Sequence, residues 1–278
     1  MDDQCLTTSF KSEEKTDHVC QGGSELNGAN RRVVVTGSSG IAAAAAAQLS
    51  VNGDAVFIVS VDAASSKSLA NSLGHGTGWF AANLQEERQA VDAFTAAEET
   101  LGKIDAVVAV AGGSARSQGD GWLHEMTLGA WEAALSLNLT SMFLTAREGI
   151  RRMRRDGGSL VMTSSVLVTS PQPDNFTTHG YAAAKAAITG WTKSLAAAYA
   201  PDGIRVNTVA PGLVRTSMTH RAEQDEQIMS FARRKQPLVR DLLSPEVVAE
   251  AMCWFVHCEG VTGQVLSVDG GWEVTSTL

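Results

Sequence analysis

The sequence predicts an α/β protein, a doubly wound parallel sheet with helices on both faces. Three observations predict it. Short, uninterrupted apolar runs alternate along the chain with longer helical stretches, as strands buried on both faces require. Glycine punctuates the joins, with 26 glycines against 6 prolines. The 278 residues, 44% of them hydrophobic, are enough for one sizeable core.

Residues 1–30 are polar and carry no sustained helix or strand period. They have little apolar area to offset the entropy of ordering, so a mobile tail is expected there, followed by a single domain over 31–278. Val33–Val35 is the first strand and ends in Thr36-Gly37. The alanine-rich stretch Ile41–Leu49 is the first helix, because alanine propagates helix at little entropic cost and lets a helix lie close to a sheet. Gly53 ends it, and Ala55–Ser60 is the second strand. Helices over 64–73, 85–101, 131–154, 179–200 and 245–257 alternate with strands at 77–81, 105–110, 159–163, 204–209 and 264–268. A variable segment, Leu213 to Val239, interrupts the pattern and is expected to form a lid.

The net charge of −8 is dispersed, which disfavours nucleic acid and anionic membrane surfaces as partners. No apolar stretch is long enough to span a bilayer. Cys5, Cys20, Cys253 and Cys258 contain no CxxC pair, so neither a disulfide framework nor a metal site is expected, and the cytoplasm is the default compartment.

The turn Thr36-Gly37-Ser38-Ser39-Gly40-Ile41-Ala42 joins the first strand to the first helix. Glycine permits close backbone approach, and the helix N-terminus offers free N–H groups to a pyrophosphate. The same glycines also suit a plain βα turn. Ser60 closes the second strand and Asp62 follows two residues on, a carboxylate suited to ribose hydroxyls; no arginine stands beside it, although Lys67 is within reach. That favours NAD slightly over NADP.

Tyr181 and Lys185 are four residues apart, on one face of a small-residue helix. An ammonium near a phenol favours the phenolate, so Lys185 is expected to lower the Tyr181 pKa and make it a usable acid or base. Ser164 and Ser165 end the preceding strand, where they can orient a substrate oxygen.

The order of these features resembles the single-domain, tyrosine-dependent kind of the short-chain dehydrogenase/reductase family. The resemblance runs from Arg31 to about Gly271. It rests on the turn at 36–42, Leu137-Asn138-Leu139, Ser164-Ser165 and Tyr181-Ala182-Ala183-Ala184-Lys185. It continues through Arg205-Val206-Asn207, Pro211-Gly212 with Thr216, Val261-Thr262-Gly263-Gln264 and Asp269-Gly270-Gly271.

It implies a Rossmann-like sheet of seven strands, and a secondary alcohol and ketone interconverted on a small or medium substrate with NAD or NADP. Tyr181 is then the general acid/base and Ser165 binds the reacting oxygen. Lys185 holds the nicotinamide ribose, and Asn138 holds a water of a proton relay. It further implies cofactor contacts at Gly37, Ser38, Ser39, Gly40, Ile41, Ser60, Asp62, Asn83, Leu84, Ala111, Gly112, Tyr181, Lys185, Pro211, Gly212, Val214 and Thr216. A homotetramer, or less often a homodimer, is the implied assembly.

The chain departs from the family pattern in four places. Only Ser38 and Ser39 separate Gly37 from Gly40, one residue fewer than usual, and Ala42 replaces a glycine. The usual Asn-Asn-Ala-Gly reads Ala109-Val110-Ala111-Gly112, which removes polar side chains that brace neighbouring strands. Asn83 stands where an aspartate commonly meets the adenine. The connection from Ser165 to Tyr181 is long, includes Pro171 and Pro173, and can bring His179 into the pocket. These departures leave open a second reading, a non-redox enzyme (dehydratase, isomerase or cyclase) or a noncatalytic partner on the same fold. Trp122 and Trp272 suit either a pocket wall or a core, and Arg221, Arg233, Arg234 and Lys235 are expected to face solvent rather than to clamp a substrate carboxylate.

Overall fold

The fold is that of a computed structural model, which describes residues 30–74 and 76–276. The expected tail, apart from Asn30, lies outside the described residues, as do Cys5 and Cys20. The elements follow in chain order: β1 (Arg32–Thr36), α1 (Gly40–Val51), β2 (Ala55–Ser60), α2 (Ala63–Leu73), β3 (Gly78–Ala81), α3 (Glu87–Leu101), β4 (Ala106–Ala109), α4 (Leu128–Leu135), α5 (Ser141–Met153), β5 (Gly158–Thr163), α6 (Pro173–Phe176), α7 (His179–Tyr199), β6 (Ile204–Pro211), α8 (His220–Glu223), α9 (Glu226–Lys235), α10 (Pro245–His257) and β7 (Val265–Val268).

The strands form one seven-stranded sheet in the order β3-β2-β1-β4-β5-β6-β7, and every pair is parallel. Successive side chains of a strand point to opposite faces, so each apolar run feeds two cores at once. Val34, Val107 and Leu160 pack on one face with Phe94, Met142 and Ile188 from α3, α5 and α7. Val33, Val35, Val108 and Val161 pack on the other with Leu49 and Phe255 from α1 and α10. The alanines of α1 do what the sequence suggests: Ala42, Ala45 and Ala46 are buried and bring that helix close to the sheet.

The order reverses at β1, whose neighbours are β2 on one side and β4 on the other. Chains leaving the C-terminal ends of β1 and β4 therefore diverge, and a crevice opens between them, the usual ligand position in such sheets. The polar bracing missing from Ala109-Val110-Ala111-Gly112 is supplied by threonines instead. Thr36 Oγ1 accepts hydrogen bonds from the N–H groups of Val110 (3.1 Å) and Ala111 (3.2 Å). Thr163 Oγ1 donates to the Ala109 carbonyl at 2.8 Å.

Two elements differ from expectation. The long helix over 131–154 is broken into α4 and α5 by a π-helical turn at Ser136–Thr140. The variable segment contains α8 and α9. Asp225 caps α9 through the N–H groups of Gln227 and Ile228, an acceptor that satisfies two otherwise free donors.

Candidate active site

The start of α7 places Tyr181 and Lys185. Its N-cap residue, Thr178, makes no side-chain capping bond. The buried carboxylate of Asp120, far upstream, does that work: its two oxygens accept from the N–H groups of Gly180 and Tyr181, both at 2.9 Å. One turn further, Lys185 is only 3% exposed. Its Nζ donates to the Thr163 carbonyl at 2.9 Å and lies 5.6 Å from the centre of the Tyr181 ring. Ser164 ties β5 to α7 by donating to the Lys185 carbonyl at 2.9 Å, which leaves Ser165 as the serine that faces the phenol. Asn138, fully buried in the π-helical turn, clasps Gly113 from both sides. Its Oδ1 accepts from the Gly113 N–H and its Nδ2 donates to the Gly113 carbonyl, each at 3.0 Å. A second Nδ2 bond reaches the Ala134 carbonyl at 3.1 Å, so both amide hydrogens are committed to the backbone.

The electrostatics overturn one expectation. Burial holds the Tyr181 phenol above its ordinary value near 10, and the Ser165 hydroxyl only partly offsets this. Lys185 does not lower it, because its ammonium is directed at the Thr163 carbonyl and is itself disfavoured by burial, which pushes it down to about 8. Desolvation dominates both groups.

Two cavities, each of about 340 Å³, open along the crevice. The first is lined by Tyr181, Lys185, Ser165, Ser39, Gly40, Ile41, Gly112, Pro211, Gly212, Val214 and Thr216. The second is lined by Gly37, Ser38, Ser39, Ser60, Asp62, Asn83, Leu84, Ala111 and Gly112. Ser39 and Gly112 belong to both, so every predicted cofactor residue lies on one continuous groove. Asn138 lines neither cavity.

A model of the family described as enoyl-(acyl carrier protein) reductase matches residues 35–273. The chain belongs to the short-chain dehydrogenase/reductase family. It is 36% identical to a cis-4-hydroxycyclohexanecarboxylate dehydrogenase from Sinomonas cyclohexanicum over 88% of this chain and 97% of that one. It is 32% identical to a probable galactose dehydrogenase from Rhizobium meliloti, over 87% and 94% of the two chains. A solved short-chain dehydrogenase/reductase from Mycobacterium ulcerans superposes with a TM-score of 0.81 at 27% identity, covering 88% of this chain and 90% of its own. The protein is thus an oxidoreductase that works with NAD or NADP on small or medium organic substrates.

The residues present fit a nicotinamide dinucleotide. A Cβ on Gly37 would lie 2.8 Å from Ala42 Cβ, and one on Gly112 would lie 2.8 Å from Asn138 Oδ1, so neither position on the groove has room for a side chain behind it. Both glycines also have left-handed φ values, +108° and +155°. The Ser39 side chain makes no capping bond at the start of α1, so its hydroxyl is uncommitted there. In the second cavity, Ser38 Oγ donates to Ser60 Oγ at 3.0 Å, while Asp62 caps α2 through the Ser65 N–H at 3.0 Å and still borders the groove.

Other residues of this dehydrogenase/reductase stand differently from the sequence reading. His179 is turned away from the first cavity and bonds the Gly121 carbonyl at 2.8 Å beside the exposed Trp122. Trp272 is buried and lines that cavity against Phe176 and Phe231. Of the cations expected at the surface, Arg233 pairs with Glu226 and Arg234 bonds Ser230, as solvent-facing residues do. Lys235 is buried instead, with its ammonium on the Thr275 carbonyl. Arg221 is exposed but borders the first cavity. Asp120, Thr163 and Arg116 have roles at the site that no local pattern announced.

Proposed function

We propose that the enzyme interconverts a secondary alcohol and a ketone, with Tyr181 exchanging the proton and Ser165 holding the reacting oxygen. The observation that carries this reading is the convergence of Tyr181, Ser165 and Lys185 on a cavity whose lining also includes the glycine turn at Ser39–Ile41. A bound nicotinamide supplies or accepts the hydride. In the reducing direction ketone, NADH and a proton yield alcohol and NAD⁺. A phenol held protonated by burial is ready to donate at neutral pH, so reduction proceeds there while oxidation gains as pH rises.

Lys185 serves the ribose hydroxyls and Asn138 braces Gly113, which positions the glycine floor of the groove. The relay water assigned to Asn138 falls to its backbone carbonyl in the π-helical turn, because its amide hydrogens are taken. Ser39, free of capping, makes up for the residue missing from the phosphate turn. Asp62 and the lack of any lysine or arginine lining the second cavity favour NAD over NADP. Assembly as a homotetramer or homodimer is supported by Phe143 on α5, 41% exposed and stacked on Trp191 of α7 at 6.2 Å. The cysteine usage supports a cytoplasmic enzyme.

Calorimetric titration with NAD⁺, NADH, NADP⁺ and NADPH tests the reading, paired with Tyr181→Phe. The expected result is tighter binding of the NAD forms. The variant keeps that binding and loses about 10²–10⁴-fold in turnover. Absence of binding by all four nucleotides refutes the redox function.

A further inference from the structure

The first cavity has an unusual charge lining for a chain of net charge −8. Lys185, Arg116 and Arg221 border it, and no aspartate, glutamate, asparagine or glutamine does. Lys185 is buried at the floor beside Tyr181, whereas Arg116 and Arg221 are exposed and so stand at the mouth. They arrive from separate parts of the fold, Arg116 from the segment after β4 and Arg221 from α8.

Among the described residues neither arginine has a carboxylate oxygen within 4.0 Å, while neighbouring Arg215 and Arg233 are paired with Asp241 and Glu226. Arg221 makes only a long contact, 3.5 Å, with the Asn175 carbonyl. Partial desolvation of its guanidinium lowers the Arg116 pKa although the residue is open to solvent on one side, the charge of Arg221 lowers it further, and Asp120 opposes them. Asp120 is no partner in waiting, since both its oxygens are held by the start of α7.

Two guanidinium groups that repel each other across an acid-free mouth are a poor resting arrangement. A carboxylate between them relieves the repulsion and accepts charge-assisted, bidentate hydrogen bonds. Apolar side chains border the same cavity, Val166, Leu167, Phe176, Leu213, Met218 and Trp272, beside hydroxyls such as Ser114, Thr178 and Ser217.

We propose that Arg116 and Arg221 bind the substrate's carboxylate, so that the enzyme acts on oxo and hydroxy acids with an apolar ring or chain between the acid and the reacting carbon. The inference rests on the alcohol–ketone reading of Tyr181 and adds the substrate class to it.

The probes are 4-oxocyclohexanecarboxylate and its carboxamide, each with NADH, on the wild type, Arg116→Gln, Arg221→Gln and the paired surface residue as control, Arg233→Gln. Each clamp variant should raise KM for the acid by about tenfold to a hundredfold. Its kcat and its KM for the carboxamide stay near wild type, and Arg233→Gln matches wild type throughout. A merely structural arginine would affect acid and amide alike, and that result overturns the proposal. So does a wild type that uses both probes with equal kcat/KM, or one that prefers a carrier-bound thioester to the free acid.

Calorimetry with cyclohexanecarboxylate separates the two readings if neither ketone turns over. Binding that is lost in the clamp variants upholds the carboxylate site and places the failure in the redox assignment. No binding by the wild type overturns the carboxylate site itself.

Discussion

Lys185→Met should stabilise the nucleotide-free protein at neutral pH, although it removes a residue placed at the heart of the site. The lysine is 3% exposed, and its pKa falls from 10.5 to about 8 because burial disfavours the charge. At about 1.36 kcal/mol per pH unit, that drop corresponds to about 3 kcal/mol of stability forgone while the group is charged. Methionine is of similar length, apolar and adaptable, so it fills the site without a desolvation cost. It also leaves the Thr163 carbonyl without the Nζ donor at 2.9 Å, a loss of about 1 kcal/mol. The net gain at pH 7 is about 2 kcal/mol.

The sign of the pH dependence is fixed by which state holds the proton. Between pH 8 and 10.5 the unfolded chain keeps a proton that the native lysine has released, so wild-type stability rises through this window. The variant has no such group. Its advantage is complete below about pH 8, shrinks above it by about 1.36 kcal/mol per pH unit, and inverts between about pH 9.5 and 10, where the remaining desolvation cost no longer exceeds the lost hydrogen bond. Equilibrium urea unfolding of both proteins at pH 7.0 and 9.5, without nucleotide, measures this difference. A variant that is less stable at pH 7, or a difference that does not change with pH, refutes the claim that desolvation governs Lys185.

Two further changes probe the scaffold of the site. Asp120→Ala strands the N–H groups of Gly180 and Tyr181, so a loss of about 1–3 kcal/mol in urea unfolding is expected, with kcat reduced because the first turn of α7 carries Tyr181. Asp120→Asn keeps one acceptor and recovers part of both. Gly40→Ala forces an L-residue to φ +54° and sets its Cβ 2.8 Å from Thr216 Cγ2. It should cost about 1–2 kcal/mol in stability. It should also weaken NADH binding in calorimetry, because Gly40 and Thr216 both border the groove.

The fold was open to reading because its signals are local. A parallel sheet buried on both faces writes each strand as an apolar run, and α10 was expected over the residues it occupies, 245–257. The interruption at Ser136–Thr140 was not readable: its flanks are ordinary helix formers, and the widened turn falls where Asn138 bonds the Gly113 backbone. The residues that line the groove were readable because the turn, the strand ends and the Tyr181–Lys185 pair each sit in a short motif, and the sheet collects strand ends along one edge.

What escaped the sequence shares a physical cause: each is a pairing through space between segments with no motif in common. Asp120 caps a helix that begins 59 residues later at His179, and nothing near either residue signals it. The sequence allows Arg221 either a surface position or a substrate carboxylate, and only the packing of α8 sets it beside the same cavity as Arg116. The Tyr181 pKa went the opposite way from expectation for the same reason. Spacing on a helix says that a lysine is near, but only the packed β5–α7 contact says that its ammonium is turned to the Thr163 carbonyl and that both groups are dry. Proximity along a helix therefore identifies the partners of a catalytic pair, while burial decides which protonation state each one holds.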